Sequence, residues 1–336
     1  IDRGIKSSEE KEVYLNAALN NLSDPFELPG MKKAVERINK AVKNNEKIAI
    51  YGDYDVDGIT STALLYRFFK QTYNLKVDYF IPDRIEDGYG LNKSSLEKLL
   101  KNKVDLIITV DCGINAFKEA EYLNEKNIDL IITDHHTPSE KLPTAEAVIN
   151  HHLVEKKDYF ASEIAGVGTA YKLIEALDYK QSRKLKKELL PIVALGTVAD
   201  IAPLKSENRV LVKNGLNLIK DSPVLGLKVL INKLDLAEDN ISAGQIGFII
   251  APPLNAAGRI DDAEKALDLL ITEDEVRAER IADTLIKINK ERQNEEEKIY
   301  KSAEEKIKKL NLKNENALVL ADSDWHSGII GIVASR

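Results

Sequence analysis

The segment Lys47-Ile48-Ala49-Ile50-Tyr51-Gly52-Asp53-Tyr54-Asp55-Val56-Asp57-Gly58 decides the fold. Its apolar run, Ile48 to Tyr51, is typical of a short buried strand. Asp53, Asp55 and Asp57 follow that run on alternate positions, where the strand ends. Carboxylate oxygens grouped in this way are the ligands that hard divalent cations prefer. The segment therefore predicts a strand that leads into a metal site.

The same arrangement recurs at three later points of the chain. A run from Val104 stops at Asp111, another ends at Thr133-Asp134-His135-His136, and a helical stretch from Ala194 stops at Asp200. Four separate segments thus supply carboxylates or imidazoles that could hold a pair of divalent ions. Mixed Asp and His ligands suit Mn²⁺ particularly well, and Mg²⁺ is also compatible.

Short β-rich runs separated by amphipathic stretches predict an α/β fold with a parallel sheet flanked by helices. The predicted strands are Ile48 to Tyr51, Val77 to Ile81, Leu106 to Val110, Leu130 to Thr133 and Ala147 to Asn150. Ligands bind such sheets beyond the carboxyl ends of the strands. Because the acids and imidazoles follow those ends, we expect them to converge in space.

The remaining pattern is mainly helical. Helices are predicted at Glu9 to Leu19 and at Met31 to Lys43. Residues 160 to 270 are expected to be helices interrupted at Gly166-Val167-Gly168 and at Ala251 to Arg259.

Beyond that region, apolar residues three or four positions apart predict a long helix between Asp274 and Leu310. It would be either a solvated surface helix or a connector between domains. Ala317 to Ala321 then predicts the first strand of a second domain that this chain does not complete.

Bulk composition bounds the class of protein. A length of 336 residues favours two domains, and 43% hydrophobic with 31% charged residues is typical of an ordinary globular protein. No apolar run approaches the ~20 residues of a membrane span. Residues 1 to 16 do not resemble a signal peptide, and the single Cys112 excludes an internal disulfide framework, so we predict a cytoplasmic location.

The net charge of −7 argues against broad coating of nucleic acid but leaves a local phosphate site open. The chain begins at Ile1 rather than at a methionine, and Gly331 to Arg336 look like an element cut in mid-course. Both ends are therefore expected to be boundaries within a longer chain.

The acidic and histidine motifs, taken in order, resemble the four motifs of the DHH phosphoesterase superfamily. Longer stretches resemble the bacterial RecJ family within it: Tyr51 to Ser61, Gly196 to Asp200, Leu254 to Arg259 and Trp325 to Arg336. The resemblance covers the whole chain. It implies an N-terminal helical segment (1–45), a DHH catalytic domain (46–272), a connecting helix (273–312) and the beginning of a second α/β, DHH-associated domain (313–336).

The resemblance also implies an activity. It would be a 5′ to 3′ exonuclease that hydrolyses single-stranded DNA to 5′ mononucleotides, in recombination and repair, with Mn²⁺ or Mg²⁺. Two ions about 3.5 to 4 Å apart would activate a water for in-line displacement at phosphorus. Helicase and single-strand-binding protein would be the partners, without a membrane. The family usually supplies further DNA contacts after this point, so this chain alone should bind DNA weakly.

The implied metal ligands, which are also the implied catalytic residues, are Asp55, Asp57, Asp111, His135, His136 and Asp200. Asp111 would bridge the ions, with Asp55 on one ion and Asp57 on the other. Many relatives have a histidine four positions before the first acid of the Asp-x-Asp pair, where this chain has Tyr51. Asp53 would complete that ion's site directly or through water, or would orient another ligand.

The implied substrate contacts are Arg84, Asn255, Arg259 and His326. Either arginine could grip a terminal phosphate with two parallel hydrogen bonds, in a loop near the 5′ end of the DNA. The alternative for each arginine is an ion pair with an acidic neighbour in the sequence. Trp325 would be a stacking surface or part of the core.

Simpler interpretations apply to other residues. The acids of the cluster could be helix caps and turn residues. His151 and His152 match no ligand motif and favour a structural or surface role, and Cys112 favours a small buried side chain. Two other functions remain open: a phosphodiesterase acting on short oligonucleotides or cyclic dinucleotides, and a noncatalytic replication scaffold.

Overall fold

The computed structural model describes residues 5, 7–155, 160–178, 183–236, 240–308 and 317–335. Its centre is a sheet of β1 (Ile48–Tyr51), β2 (Asp78–Phe80), β3 (Leu106–Val110), β4 (Asp129–Thr133) and β5 (Ala147–Ile149). All strand pairs are parallel, in the order β2-β1-β3-β4-β5. The predicted α/β class is confirmed, and the strands lie close to their predicted bounds.

Helices surround this sheet. The first half of the chain contains α1 (Ser8–Asn16), α2 (Met31–Asn44), α3 (Val56–Tyr73), α4 (Lys93–Leu100), α5 (Phe117–Glu125) and α6 (Gly166–Leu177). The second half contains α7 (Arg183–Ala199), α8 (Ser206–Leu218), α9 (Leu225–Lys233), α10 (Ala243–Gln245), α11 (Ala251–Ile260), α12 (Glu264–Ile271), α13 (Glu275–Lys308) and α14 (Ser327–Ala334). No helix among the described residues is long and apolar enough to cross a membrane.

Both faces of the sheet are buried, which explains the continuous apolar runs of its strands. Successive strand residues point to opposite faces. Ile48 and Ile50 of β1 pack into the larger apolar cluster, which includes residues of α3, α6 and α7. Ala49 and Tyr51 pack on the other face, with α4 and α5.

The chain leaves β1 and β3 in opposite directions although these strands are neighbours. From β1 it passes through α3 to the edge strand β2, whereas from β3 it passes through α5 to β4. The two loops after β1 and β3 therefore diverge and leave a crevice between them. Asp53 follows one strand and Asp111 follows the other, so both line this crevice.

The predicted long helix is present as α13. One of its faces is buried, through Ala278, Ala282, Leu285 and Ile288 and, further along, Ile299. It packs against α9, α11, α12 and α14, so it is not simply a solvated helix. Its role as a connector, like the domain boundaries, stays a prediction.

Three local predictions were wrong. Residues 317–321 form no strand: Val319 is 91% exposed, and no described strand lies beside this segment to supply the hydrogen bonds that a strand requires. Gly166-Val167-Gly168 does not interrupt the helices but begins α6. Ala251 to Arg259 is itself helical, because Pro252 and Pro253 stand in the first turn of α11, where a missing N–H costs little.

A buried ion pair ties the N-terminal segment to this core. Lys172 Nζ lies 2.9 Å from Glu207 Oε2, both side chains are fully buried, and the same ammonium donates to Ser23 O at 2.8 Å. Replacing Lys172 with alanine leaves a buried carboxylate without its cation. We expect a loss of about 3 to 5 kcal/mol of unfolding free energy, measured by urea denaturation.

The exposed pair Lys184–Glu188 provides the matched control, because Lys184 is 88% exposed. Lys184→Ala should cost no more than about 1 kcal/mol. Equal losses for the two substitutions would contradict a structural role for the buried pair.

Candidate metal centre

The acids after β1 are arranged by the start of α3. Asp55 is the N-cap of this helix, and its Oδ1 accepts hydrogen bonds from Asp57 N at 2.9 Å and from Gly58 N at 3.1 Å. Asp57 stands in the first helical turn and is 2% exposed. Asp55 is therefore a helix cap, as the simpler interpretation predicted. The cap does not exclude a metal site, because it orients the acids toward the crevice.

A second helix receives the Asp57 carboxylate. Asp57 Oδ2 accepts a hydrogen bond from Gly166 N at 2.6 Å, and Oδ1 accepts one from Val167 N at 2.8 Å. These N–H groups belong to the first turn of α6, where the helix dipole also favours a negative charge. The segment that was expected to interrupt the helices thus holds a predicted ligand in place.

The histidine segment brings the acids together. His135 Nε2 lies 3.1 Å from Asp111 Oδ1 and 3.9 Å from Asp57 Oδ2, while His135 Nδ1 lies 4.0 Å from Asp200 Oδ2. The Asp200 carboxylate arrives from the end of α7. Residues distant in the chain therefore meet around one imidazole.

The candidate ligand atoms form three groups, and within each group the atoms lie within 4.8 Å of one another. They are Asp53, Asp55 and Asp111; Asp57, His135 and Asp200; and Asp111, His135 and His136. The structure thus brings together every residue that was predicted as a metal ligand. Asp111 and His135 each belong to two groups, so the groups adjoin.

The acids of the cluster are crowded together, and burial and mutual repulsion raise their pKa values. Burial raises the pKa of Asp53 to about 7 and that of Asp200 to about 6, and in both cases the charge of Asp55 adds to the rise. Burial also raises the pKa values of Asp57 and Asp111 well above the ordinary range, with a further rise from neighbouring carboxylates. Asp53 Oδ1 is buried without a hydrogen-bond partner. This donor set fits divalent cations, which would offset the charge.

The two histidines have opposite titration properties. Burial lowers the pKa of His135 to about 4, so this ring is neutral and has a free lone pair. A hydrogen bond with Asp134 raises the pKa of His136, whose Nδ1 lies 2.8 Å from Asp134 Oδ1. His136 therefore retains a proton more readily than His135.

Sequence reasoning missed the role of Asp134. Its Oδ1 accepts the backbone N–H groups of His135 at 2.7 Å and His136 at 3.1 Å, and its Oδ2 accepts the N–H of Ile114 at 2.9 Å. Burial would raise the pKa of Asp134, but the hydrogen bonds from His136 outweigh it and lower that pKa. Its place directly before two histidines was the available signal.

Two other contributors to the site were also missed. The buried Asn150 donates from Nδ2 to His136 O at 2.9 Å. Gly166 has no side chain beside Asp111, where a Cβ would lie 2.6 Å from Oδ1. Neither contact leaves a signal in the local sequence, because both join segments far apart in the chain.

Tyr51 occupies the position where a histidine was expected, and it is not a ligand here. Its hydroxyl donates to Gly90 O at 3.0 Å, and its ring is fully buried on the other side of the sheet. The ligand atom of Asp53 lies instead with those of Asp55 and Asp111. This proximity favours the direct role among those that were open for Asp53.

The predicted substrate arginines lie at one side of the cluster. The Arg84 guanidinium stands over the Tyr54 ring at 5.0 Å, and Arg259 Nη1 donates to Gly328 O at 3.3 Å. Burial lowers the pKa of Arg259, and the charge of Arg84 lowers it further, so the two cations are neighbours. Arg84 lies in a turn as expected, whereas Arg259 lies on a helix rather than in a loop.

The alternative ion pairs of these arginines do not form among the described residues. Asp83 accepts the N–H groups of Ile85 and Glu86, and Asp261 pairs with Lys265. The guanidinium groups therefore have no described carboxylate partner.

The other predicted contacts lie near Arg259. Asn255 stands one helical turn earlier on α11 and is half-buried. His326 is the N-cap of α14, and its Nδ1 accepts the N–H of Gly328 at 3.1 Å. Trp325 donates to Ser302 Oγ at 3.2 Å and so packs against α13, while Arg336 lies outside the described residues.

The residues given simpler interpretations lie next to the centre but outside its ligand groups. His151 is 7% exposed, and burial lowers its pKa to about 3. The exposed His152 stacks on it, with ring centroids 4.2 Å apart. Cys112 is fully buried.

A parallel sheet with acids and imidazoles beyond adjacent strands is the arrangement of a DHH-type domain. Similarity to known proteins supports this class. The family described as "DHH family, N-terminal domain" matches residues 47–197. The single-stranded-DNA-specific exonuclease RecJ of Bacillus subtilis (strain 168) is 41% identical over 338 residues, covering 100% of this chain and 42% of that protein.

Two solved structures are also similar. Exonuclease RecJ bound to manganese has a TM-score of 0.83 and 36% identity, covering 94% of this chain and 78% of that chain. RecJ from Thermus thermophilus in complex with Mg²⁺ has a TM-score of 0.75 and 31% identity, covering 100% of this chain and 44% of that chain. The chain belongs to the RecJ family of DHH proteins, and it spans about two fifths of the Bacillus subtilis relative's length.

Proposed function

We propose that this chain forms the catalytic part of a metal-dependent exonuclease that hydrolyses single-stranded DNA from its 5′ end to 5′ mononucleotides. The observation that carries the proposal is the meeting of three adjoining ligand groups in the crevice between β1 and β3. Family membership supports the substrate, because the Bacillus subtilis relative is a single-stranded-DNA-specific exonuclease.

The residues that would hold two divalent ions, Mn²⁺ or Mg²⁺, follow from the ligand groups. Asp53, Asp55 and Asp111 would hold one ion, and Asp57, His135 and Asp200 the other, and Asp111 Oδ1 lies 3.1 Å from His135 Nε2 of the second group. When bound, such a pair supplies Lewis-acid stabilisation of the phosphate and lowers the pKa of water for in-line attack. The neutral His135 is ready to donate its lone pair.

We assign His136 the role of a hydrogen-bond donor. The hydrogen bond with Asp134 raises the pKa of His136, and Asp134 holds the ring and both histidine N–H groups in place. This imidazole would donate a hydrogen bond to the scissile phosphate. The chain thus supplies one histidine as a ligand and its neighbour as a donor.

The polarity of cleavage would come from the arginines. Arg84 and Arg259 are neighbouring cations without described carboxylate partners. Two guanidinium groups in this state favour a terminal phosphate monoester, which has three non-bridging oxygens and a second negative charge, over an internal phosphodiester, which has two such oxygens and one charge. We assign the terminal 5′ phosphate to this pair, with Asn255 and His326 beside it.

The cellular setting follows from the substrate. Recombination and repair act on DNA in the cytoplasm, where we place this protein. Helicase and single-strand-binding protein are the proposed partners, since they generate and cover single strands.

The test is Mn²⁺-dependent digestion of an oligonucleotide that carries a 5′ phosphate or a blocked 5′ end, with product lengths resolved over time. We expect stepwise release of mononucleotides from the phosphorylated strand alone. Arg84→Met and Arg259→Met should each lower kcat/KM about 10- to 100-fold, the range for a lost charge-assisted hydrogen bond. Arg280→Met, at an exposed arginine of α13, is the control and should change little.

Two outcomes would overturn the proposal. Activity confined to dinucleotides or cyclic dinucleotides would assign the centre to a small-substrate phosphodiesterase. Equal digestion of blocked and phosphorylated strands would show that the arginines do not bind the terminal 5′ phosphate.

A further inference from the structure

Ile201, the residue directly after Asp200, combines two unfavourable features. Its side chain is 88% exposed, and its backbone has a φ of 59°. The left-handed region is costly for any residue with a Cβ and is a genuine outlier for a β-branched one. Such conformations persist at functional sites when the surroundings impose them.

The surrounding cap imposes this conformation. Ile201 N donates to Val198 O at 3.1 Å, and Ala202 N donates to Thr197 O at 3.3 Å, the hydrogen bonds of a Schellman cap at the end of α7. Glycine or asparagine usually occupies the left-handed position of that cap. An isoleucine there supplies an exposed apolar side chain that the cap itself does not need.

A second exposed apolar side chain belongs to a segment that packs against α7. Phe248 is 87% exposed and belongs to the π-helical turn Ile246–Ile250, which leads directly into α11. Single π-helical turns occur frequently at functional sites. A Cβ on the neighbouring Gly247 would lie 3.6 Å from Val198, the residue that also accepts the Ile201 N–H. We call Val198, Ile201 and Phe248 the apolar rim.

The apolar rim is continuous with the metal centre. Asp200, one residue before Ile201, reaches within 4.0 Å of His135, and the helix that follows Phe248 carries Arg259. The two exposed rim side chains therefore belong to segments that adjoin a metal-ligand candidate and the helix of a predicted substrate arginine. The rim residues carry no charge, so they suit bases rather than phosphates.

We propose that the apolar rim contacts the unpaired bases of the strand being cut, an inference that rests on the proposed function. Single-stranded bases expose π faces that stack on apolar and aromatic side chains without regard to sequence, whereas paired bases hide those faces. The rim therefore favours single strands over duplexes and tolerates any sequence.

The test is a double-mutant cycle between the rim and the bases. The variant Ile201→Asn/Phe248→Ser removes the apolar side chains, and asparagine tolerates the left-handed backbone. Oligonucleotides with an abasic site at each of the first four positions in turn remove one base at a time. We expect the variant to lose about 10-fold or more in kcat/KM on the intact strand, since one stacked base accounts for such a factor. At the position that faces the rim, the loss should fall below about threefold.

Two control variants accompany the cycle. Val276→Ser changes an apolar residue that is 78% exposed at the start of α13, and it should not alter kcat/KM. Ile201→Leu keeps an apolar side chain and should lose less kcat/KM on the intact strand than Ile201→Asn. Because the Ile201 and Phe248 side chains are exposed, the double variant should melt within about 2 °C of the parent or above it.

Equal losses on intact and abasic strands would overturn the inference, as would no loss on either, which would assign the rim to a protein partner. Binding of a 2-aminopurine oligonucleotide, followed by fluorescence quenching, does not depend on cleavage. Unchanged quenching in the variant would also overturn the inference. A parent protein that quenches 2-aminopurine but cleaves no DNA would instead contradict the proposed function.

Discussion

Replacing Asp111 with asparagine should abolish metal-dependent hydrolysis and stabilise the metal-free protein. Asp111 shares one ligand group with Asp53 and Asp55 and another with His135 and His136, and asparagine has only one oxygen to offer a cation. Mutation of residues that only hydrogen-bond to metal ligands lowers activity about 10- to 100-fold. The loss of a ligand itself should therefore lower kcat by more than about 100-fold. Steady-state digestion at saturating Mn²⁺ measures it.

The expected gain in stability has an electrostatic cause. Burial and neighbouring acids raise the pKa of Asp111, so its charged form is disfavoured in the metal-free fold. Asparagine has nearly the shape of the protonated acid and removes that charge. The melting temperature of the metal-free variant should therefore exceed that of the parent at pH 7.5, and Mn²⁺ should raise it less.

Asp105→Asn is the matched control, because Asp105 stands just before the amino end of β3 and Asp111 just beyond its carboxyl end. It should leave both activity and the response to Mn²⁺ intact. An Asp111→Asn protein with parental activity would exclude the bridging role.

Metal binding should release protons and strengthen as the pH rises from 6 to 8. Asp53, with a pKa of about 7, and Asp200, with a pKa of about 6, hold protons in the empty fold that a cation must displace. Below those pKa values, affinity should rise about tenfold per pH unit for each proton released. Calorimetry of Mn²⁺ binding in two buffers of different ionisation enthalpy counts these protons.

The metal-free protein should respond to pH in the opposite sense. A carboxyl group whose folded pKa lies above its unfolded value stabilises the fold at low pH, and this stability is lost as the pH rises through the folded pKa. His135, with a folded pKa of about 4, acts oppositely, but only below its unfolded pKa of 6.5. Between pH 6.5 and 8 the carboxylates dominate, so the melting temperature should fall.

Mn²⁺ should reverse that trend, because the ions offset the charge that destabilises the empty centre. Thermal unfolding at pH 6, 7 and 8, with and without Mn²⁺, tests both statements. The Asp111→Asn protein serves as the reference and should show a flatter pH dependence without metal. A metal-free melting temperature that rises between pH 6.5 and 8 would show that the folded protein does not raise the pKa values of these acids.

The strands and the ligand set could be predicted because both depend on neighbouring residues. Ile48 to Tyr51 is an uninterrupted apolar run. Such a run predicts a strand that is buried on both faces, whatever its position in the chain. The acids after β1 and β3 could be placed together since the ends of adjacent parallel strands meet at one edge of the sheet.

The wrong predictions concern segments whose structure depends on the elements that pack or pair with them. Ala317 to Ala321 has the composition of a strand, but no described strand pairs with it. Gly166 and Arg259 lie in segments rich in glycine or proline, which usually mark loops, yet both segments are helical.

The sequence by itself determined the α/β class, the positions of the strands and long helix, and the identity of the metal-ligand candidates, because each is a property of consecutive or regularly spaced residues. Only the tertiary structure decided that the start of α6 binds Asp57, that Asn150 donates to the backbone of His136, and that Gly247 lies beside Val198. These contacts join segments distant in the chain, so their energies depend on a packing that no local pattern encodes.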